Sequence, residues 1–244
     1  MKAKFFNVLI ILLWITSLGA FCQNNCICSD TDKINSELYL SGELFTPSIP
    51  LDNMTYFNIS WLPGDICLAD GGIVKNKKIR YNGLVDELFY LDPKTNQTIK
   101  LDKKAIAQFH FHNFQGDTSV YFRKLKVKRN LLPDSIEIFV QKIYQGNVSL
   151  FVFHTFYLNR RETVHIDENF ILKDIYKEDP VYYIKISNKK VIGFNRFSRK
   201  NIYSFVPDKK DQIRKFLRES ISGRIKTDSE IVGFIIFLNS IVKE

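Results

Sequence analysis

Two histidines one residue apart, His110 and His112, are the side chains whose types and spacing come nearest to a metal site. Alternate residues of a strand share a face, so two imidazoles at this spacing could hold one ion between them. A third ligand is required. His154 and His165 could supply it only through tertiary contact, and no carboxylate stands at a recognisable metal spacing. The sequence therefore assigns no metal and no cofactor, and the pair reads as outward polar positions beside aromatic residues. Asp65, Asp70, Asp86 and Glu87 are the carboxylates that could serve as acid and base in glycoside hydrolysis, chemistry that needs two carboxyl groups at a set separation. Sequence spacing does not supply that separation, and Asp70 and Asp86 read as turn and loop residues. No Gly-x-Ser-x-Gly elbow, His-Glu-x-x-His helix, phosphate-binding glycine loop or dinucleotide fingerprint is present, so no catalytic residue is named.

The densest basic stretch is Arg123, Lys124, Lys126, Lys128 and Arg129. On a strand, Lys124, Lys126 and Lys128 fall on one face, the pattern of a solvated edge or outer face whose lysines discourage edge-to-edge pairing. A polyanion-binding surface is the alternative. The formal charge of +9 is spread over 35 cations interleaved with 26 anions, and no block of like charge suggests a nucleic-acid partner.

These side chains have to be positioned by a β-rich framework. The 21 Phe and 11 Tyr suit a pleated, half-buried surface. From residue 55 to 197, short apolar alternations are punctuated by turn residues: Phe57–Trp61, Ile66–Leu68, Lys78–Asn82, Glu87–Leu91, Thr98–Leu101, Ile106–Phe111, Ser119–Phe122, Ile136–Tyr144, Val148–Leu158, Tyr182–Ser187 and Val191–Phe197. Asp70-Gly71, Asp92-Pro93-Lys94 and Gln145-Gly146-Asn147 mark the turns. The period changes after Ser198. Ile213, Phe216, Leu217 and Ile221 share one face of a helix expected over 208–221 behind Pro207, and Ile231, Phe234, Ile235 and Leu238 share a stripe on a second over 228–242, capped near Asp228. The expected fold is α+β: mainly antiparallel strands, as a sheet, sandwich or partly open barrel, with two C-terminal helices packed on it from segment 198–244.

The N-terminus carries the order of an export signal. Met1-Lys2-Ala3-Lys4 is basic, Phe5–Leu13 is apolar but for Asn7, and Ala20 and Cys22 place small residues at −3 and −1 before Gln23. Residues 1–22 are expected to be removed, which makes the chain exported, periplasmic or extracellular. Phe21, directly before Cys22, disfavours lipidation. The apolar stretch falls short of the roughly 20 residues of a membrane span, and the last helix has too short an apolar run to be one, so no span is expected in the mature chain. In an oxidising compartment, Cys67 is expected to pair with Cys26 or Cys28, tethering the polar lead-in 23–54 to the first strands; one residue between Cys26 and Cys28 makes their mutual bond strained. Four Asn-x-Ser/Thr triplets begin at Asn53, Asn58, Asn96 and Asn147 and matter only in a host that glycosylates them.

Trp61-x-x-Gly64-x-Ile66-x-Leu68-x-Asp70-Gly71, Ile79-x-Tyr81-Asn82, Glu87-Leu88, and Ile99-x-Leu101-Asp102-Lys103-x-x-Ile106-x-x-Phe109, with Phe216-Leu217 and the apolar last helix, resemble exported, uncharacterised β-rich proteins of Bacteroidota over roughly residues 55 to 240. The resemblance implies a signal-bearing β-rich fold and carries no activity with it. The functional expectation is a non-enzymatic structural or binding protein of the cell envelope, its partner an unknown envelope component or anionic polymer. A hydrolase of an extracellular polymer using paired carboxylates is the first alternative, and a polyanion binder using the Arg123–Arg129 stretch the second.

Overall fold

The structure is a computed structural model that describes residues 40–46, 55–114, 118–128, 135–166, 169–187, 191–220, 225 and 227–242. These belong to a compact unit of residues Ile34–Glu244; a second unit, Met1–Lys33, lies outside the described residues and includes the expected leader, Cys26 and Cys28.

Among the described residues thirteen strands dominate: β1 (Gly42–Leu44), β2 (Leu62–Leu68), β3 (Ile73–Asn82), β4 (Glu87–Leu91), β5 (Thr98–Leu101), β6 (Ile106–Phe114), β7 (Thr118–Lys128), β8 (Ser135–Tyr144), β9 (Val148–Phe153), β10 (Phe156–Ile166), β11 (Asn169–Glu178), β12 (Val181–Ile186) and β13 (Ile192–Phe194). Three α-helices follow among them: α1 (Arg199–Phe205), α2 (Lys210–Ser220) and α3 (Asp228–Ile241). Eleven of the described strands form one antiparallel sheet in the order β1-β5-β4-β3-β2-β6-β7-β8-β9-β12-β13, while β10 and β11 pair with each other in a separate two-stranded sheet. The expected mainly antiparallel fold with two C-terminal helices on the sheet is what forms. Among the described residues, no helix is long and apolar enough to cross a membrane.

Local chemistry explains the joints. Gly71, at φ +90°, and Asp70, whose Oδ1 accepts the Gly72 N–H at 2.9 Å, turn β2 into β3. Thr227 caps α3 in a reciprocal box with Glu230: the Thr227 hydroxyl accepts the Glu230 N–H and the Glu230 carboxylate accepts the Thr227 N–H. Ser198 caps α1 by accepting the Asn201 N–H.

Two apolar layers continue along one face of the sheet. Ile66, Ile79, Tyr81, Leu88, Phe109, Phe111, Phe122 and Phe139 fill the first, over β2–β8. The second lies under the helices, where Val148, Leu150, Ile184 and Ile186 meet Ile202 and Phe205 of α1, Ile213 and Leu217 of α2, and Ile231, Phe234, Ile235 and Leu238 of α3. Asn239 fastens α3 to β9 by accepting the Val148 N–H at 3.0 Å and donating to the Val148 carbonyl at 2.8 Å. Over the first layer the sheet curls so far that the β3–β4 turn reaches β8. Asp86 there accepts the Phe139 N–H at 3.1 Å and the Tyr81 hydroxyl at 2.8 Å, and pairs with Lys103.

The strand pattern differs from expectation at several places, beginning with β1, which pairs with β5 from within the expected polar lead-in. Phe57–Trp61 is irregular, mostly bends, rather than a strand, because Tyr56 makes a single bridge to Asn82 and Phe57 turns into the aromatic layer against Phe111 and Phe122. The apolar run Val148–Leu158 is two strands, since the chain leaves β9 at His154 and begins the separate β10–β11 ribbon at Phe156. The second strand of that ribbon, β11, carries no apolar/polar alternation, with Phe170 and Leu172 both largely exposed.

Candidate functional site

The pairing of β2 with β6 sets Asp65 directly opposite His110. On β6, His110 and His112 alternate with the buried Phe109 and Phe111, so the two imidazoles stand on the face away from the aromatic core, and Asp65 stands there with them. Gly64 lets the strands approach this closely: a Cβ there would lie 2.3 Å from the His110 carbonyl oxygen. A bulge aims Asp65. Gly64 faces Lys77 while Ile66 faces Val74, so both Lys75 and Asn76 stand against Asp65, and Asn76, at φ +50°, donates its N–H to Asp65 Oδ1 at 2.7 Å.

His110 Nε2 lies 3.5 Å from Asp65 Oδ2, and His112 Nε2 lies 3.1 Å from Asp65 Oδ1. One ligand atom from each of the three residues fits within 4.8 Å of the other two. The rings are stacked, His110 on His112 at 4.7 Å and on Tyr121 at 4.9 Å, and Lys142 reaches over the Tyr121 ring. Burial pushes the His110 imidazole below its ordinary pKa and His112 adds to this, while Asp65 opposes it. His112 Nε2 is buried and, although Asp65 Oδ1 lies 3.1 Å away, makes no aligned hydrogen bond among the described residues. The histidine pair was legible from spacing, whereas Asp65 was named only as a hydrolase carboxylate, because its place beside His110 is a matter of strand order and register.

The remaining carboxylates are dispersed. Asp70 closes its turn, Asp86 is buried beneath Lys103, and Glu87 lies 3.7 Å from Lys100. Burial raises the Asp86 carboxyl above the ordinary value, against the lowering effects of Lys103, the Tyr81 hydroxyl and the Phe139 N–H. A groove of about 620 Å³ beside Glu87 is lined by Lys100, Lys103, Lys104 and Lys124, but carboxylates are interleaved with them: Lys100 meets Glu43 and Glu87, Lys103 meets Asp86, and Lys124 lies 3.8 Å from Glu137.

The basic stretch is divided by the pleat of β7. Arg123 is exposed on one face, and Lys124, half-buried over the Phe139 ring, starts the lysine row on the other; Arg129 lies outside the described residues. Lys126 and Lys128 are exposed and make no ion pair among the described residues. They border a second groove, of about 880 Å³, with Val127, Val181, Tyr183, Val191 and Ile192 supplying its apolar surface and no Asp or Glu among its described lining residues.

Cys67 is buried in β2 and disulfide-bonded, with its partner outside the described residues. Peptide mapping without reductant is expected to recover Cys67 joined to Cys26 or Cys28. Recovery of Cys67 as an alkylated thiol from protein isolated without reductant would overturn that pairing.

Comparison of the chain with known protein families, with curated proteins and with solved structures finds no match.

Proposed function

We propose that this chain is a non-enzymatic exported binding protein of the cell envelope, and that its ligand is an anionic amphiphile, an acid headgroup on a hydrocarbon chain, held in the groove beside Lys126 and Lys128. The observation that carries this reading is the contrast between the two grooves: one has three of its four lysines paired with carboxylates, while the other offers two lysines that make no ion pair among the described residues, Glu137 opposite Lys126 being paired with Lys124, at the rim of an apolar wall. An acid headgroup supplies the missing counter-charge, and a hydrocarbon chain covers the half-buried Val181, Tyr183, Val191 and Ile192. The hydrolase alternative draws less support, because Asp65, Asp70, Asp86 and Glu87 each engage different neighbours instead of facing one another across a cleft.

Calorimetric titration of the purified protein with dodecanoate, dodecanol and a sulfated polysaccharide tests the reading. Dodecanoate is expected to bind more tightly than dodecanol, and the double variant Lys126→Gln/Lys128→Gln to weaken it about tenfold or more, at roughly 1 kcal/mol per lysine. Undiminished dodecanoate binding in the double variant overturns the assignment. Binding of the polysaccharide alone, weakening as salt rises, replaces the amphiphile with an acidic polymer.

A further inference from the structure

We propose that Asp65, His110 and His112 form a binding site for one divalent first-row transition-metal ion, with Zn²⁺ as the representative guest, on the sheet face opposite the aromatic core. The site shares no residue with the groove of Lys126 and Lys128, and stands or falls independently of it.

The donor set comes first. Two imidazole nitrogens and a carboxylate oxygen suit zinc and its first-row neighbours, and they are unlike the all-oxygen sets that hold calcium or magnesium. Spacing agrees with the chemistry. Ligand atoms about 2.0–2.2 Å from a tetrahedral ion stand roughly 3.2–3.6 Å apart; each imidazole lies 3.1 or 3.5 Å from a different Asp65 oxygen, and one ligand atom from each of the three residues lies within 4.8 Å of the others. Metal entry therefore requires the side chains to draw together from contacts they already make.

The third observation is the unsatisfied polar atom. His112 Nε2 is buried and lies 3.1 Å from Asp65 Oδ1, yet makes no aligned hydrogen bond with it or with any other described residue. Buried polar nitrogens ordinarily have such a partner. An ion between the ring and the carboxylate gives this nitrogen one, and gives His110 Nε2 the same partner.

The surroundings hold the donors in place. Asn76 fixes the Asp65 carboxylate by donating to Oδ1, the supporting hydrogen bond that ligating carboxylates commonly have. Stacking between Tyr121, His110 and His112 restrains both imidazole planes. Three protein ligands leave a four-coordinate ion one position for water or an external donor. This is the arrangement of an open site, whereas a closed structural centre uses four protein ligands.

The test is titration of the full exported protein, first stripped with chelator, using Zn²⁺ by calorimetry and Co²⁺ by visible absorption. One equivalent of Zn²⁺ is expected to bind with micromolar or tighter affinity and to raise the melting temperature, and bound Co²⁺ should show the intensified d–d bands of a four- or five-coordinate ion. Asp65→Asn, nearly isosteric, and His112→Gln, at the more exposed ring, should each weaken binding by more than the about 10–100-fold associated with loss of a supporting hydrogen bond. His154→Gln should bind as the wild type does, since both His154 ring nitrogens already face Glu178 and Gln141. Circular dichroism of the metal-free proteins separates loss of ligands from loss of fold. Absence of stoichiometric binding in the wild type, or equal binding in folded Asp65→Asn and His112→Gln, overturns the site.

Discussion

Asp86→Ala is expected to lower the free energy of unfolding by about 3–5 kcal/mol, the range for removing one partner of a buried charged pair. Asp86 is nearly buried in the β3–β4 turn, and three donors converge on its carboxylate: the Tyr81 hydroxyl at 2.8 Å, the Phe139 N–H at 3.1 Å and the Lys103 ammonium. Alanine leaves all three without this acceptor inside a curled sheet, where each unsatisfied polar group costs about 1–3 kcal/mol. Backbone conformation adds to the loss. Asp86 sits at φ +56°, a region in which asparagine and aspartate are tolerated better than alanine. Asp86→Asn should therefore be milder, about 1.5–3 kcal/mol, because its carbonyl can still accept from Tyr81 and Phe139 while the charge-assisted bond to Lys103 is lost. Urea unfolding of the two variants beside the wild type provides the measurement, and a wild-type midpoint for Asp86→Ala would show that the turn is not fastened to β8 by this carboxylate.

The same residue gives a pH dependence of definite sign. Burial holds the folded Asp86 carboxyl above its ordinary value near 3.8, so folding disfavours its ionised form. The associated stability is complete below that ordinary value and is lost as pH rises through the folded pKa. The amide of the Asp86→Asn variant does not titrate, and the wild-type margin over that variant should accordingly shrink as pH rises across that window. A margin that widens would mean that Lys103 outweighs burial.

Phe234→Asp is expected to cost more than about 5 kcal/mol, enough to unfold a domain of ordinary stability. Phe234 has 0% exposure in α3, among Phe197, Phe216 and the apolar residues of β9 and β12, so truncation alone carries the loss of a buried aromatic side chain. The described residues of that layer are apolar, so the new carboxylate gains no counter-charge from them. Ile236→Asp, two residues along the same helix but 44% exposed, should stay within about 0.5–1 kcal/mol of the wild type. Thermal denaturation followed by circular dichroism compares the two, and wild-type stability in Phe234→Asp would show that α3 is peripheral to the core.

Features governed by neighbours along the chain were legible before the fold was seen. The apolar stripe expected over 228–242 is α3 at Asp228–Ile241, and the one over 208–221 contains α2 at Lys210–Ser220, because helical period and caps are local properties. Asp70-Gly71 and Gln145-Gly146-Asn147 turn where their composition says they should, since a positive φ or a side-chain-capped turn is settled within a few residues. The β10–β11 ribbon was less legible: Arg160, Arg161, Glu162, Lys173 and Asp174 interrupt the alternation, and pairing between two largely exposed strands needs no buried face to enforce it.

What sequence alone determined is therefore the inventory: many short antiparallel strands, two amphipathic C-terminal helices, a histidine pair on one strand face and a lysine row on another. Tertiary structure decided which of these residues meet. Asp65 and His110 are 45 positions apart in the chain and become neighbours only because β2 pairs with β6 in one register; a slip of one residue would turn Asp65 into the core. Asp86, composed like any turn aspartate, is buried because the sheet curls its turn onto β8, while Lys124 meets Glu137 and Lys126 does not. A one-dimensional pattern records the face on which a side chain lies, but strand order and curvature determine its opposite neighbour, and those follow from contacts across the whole sheet.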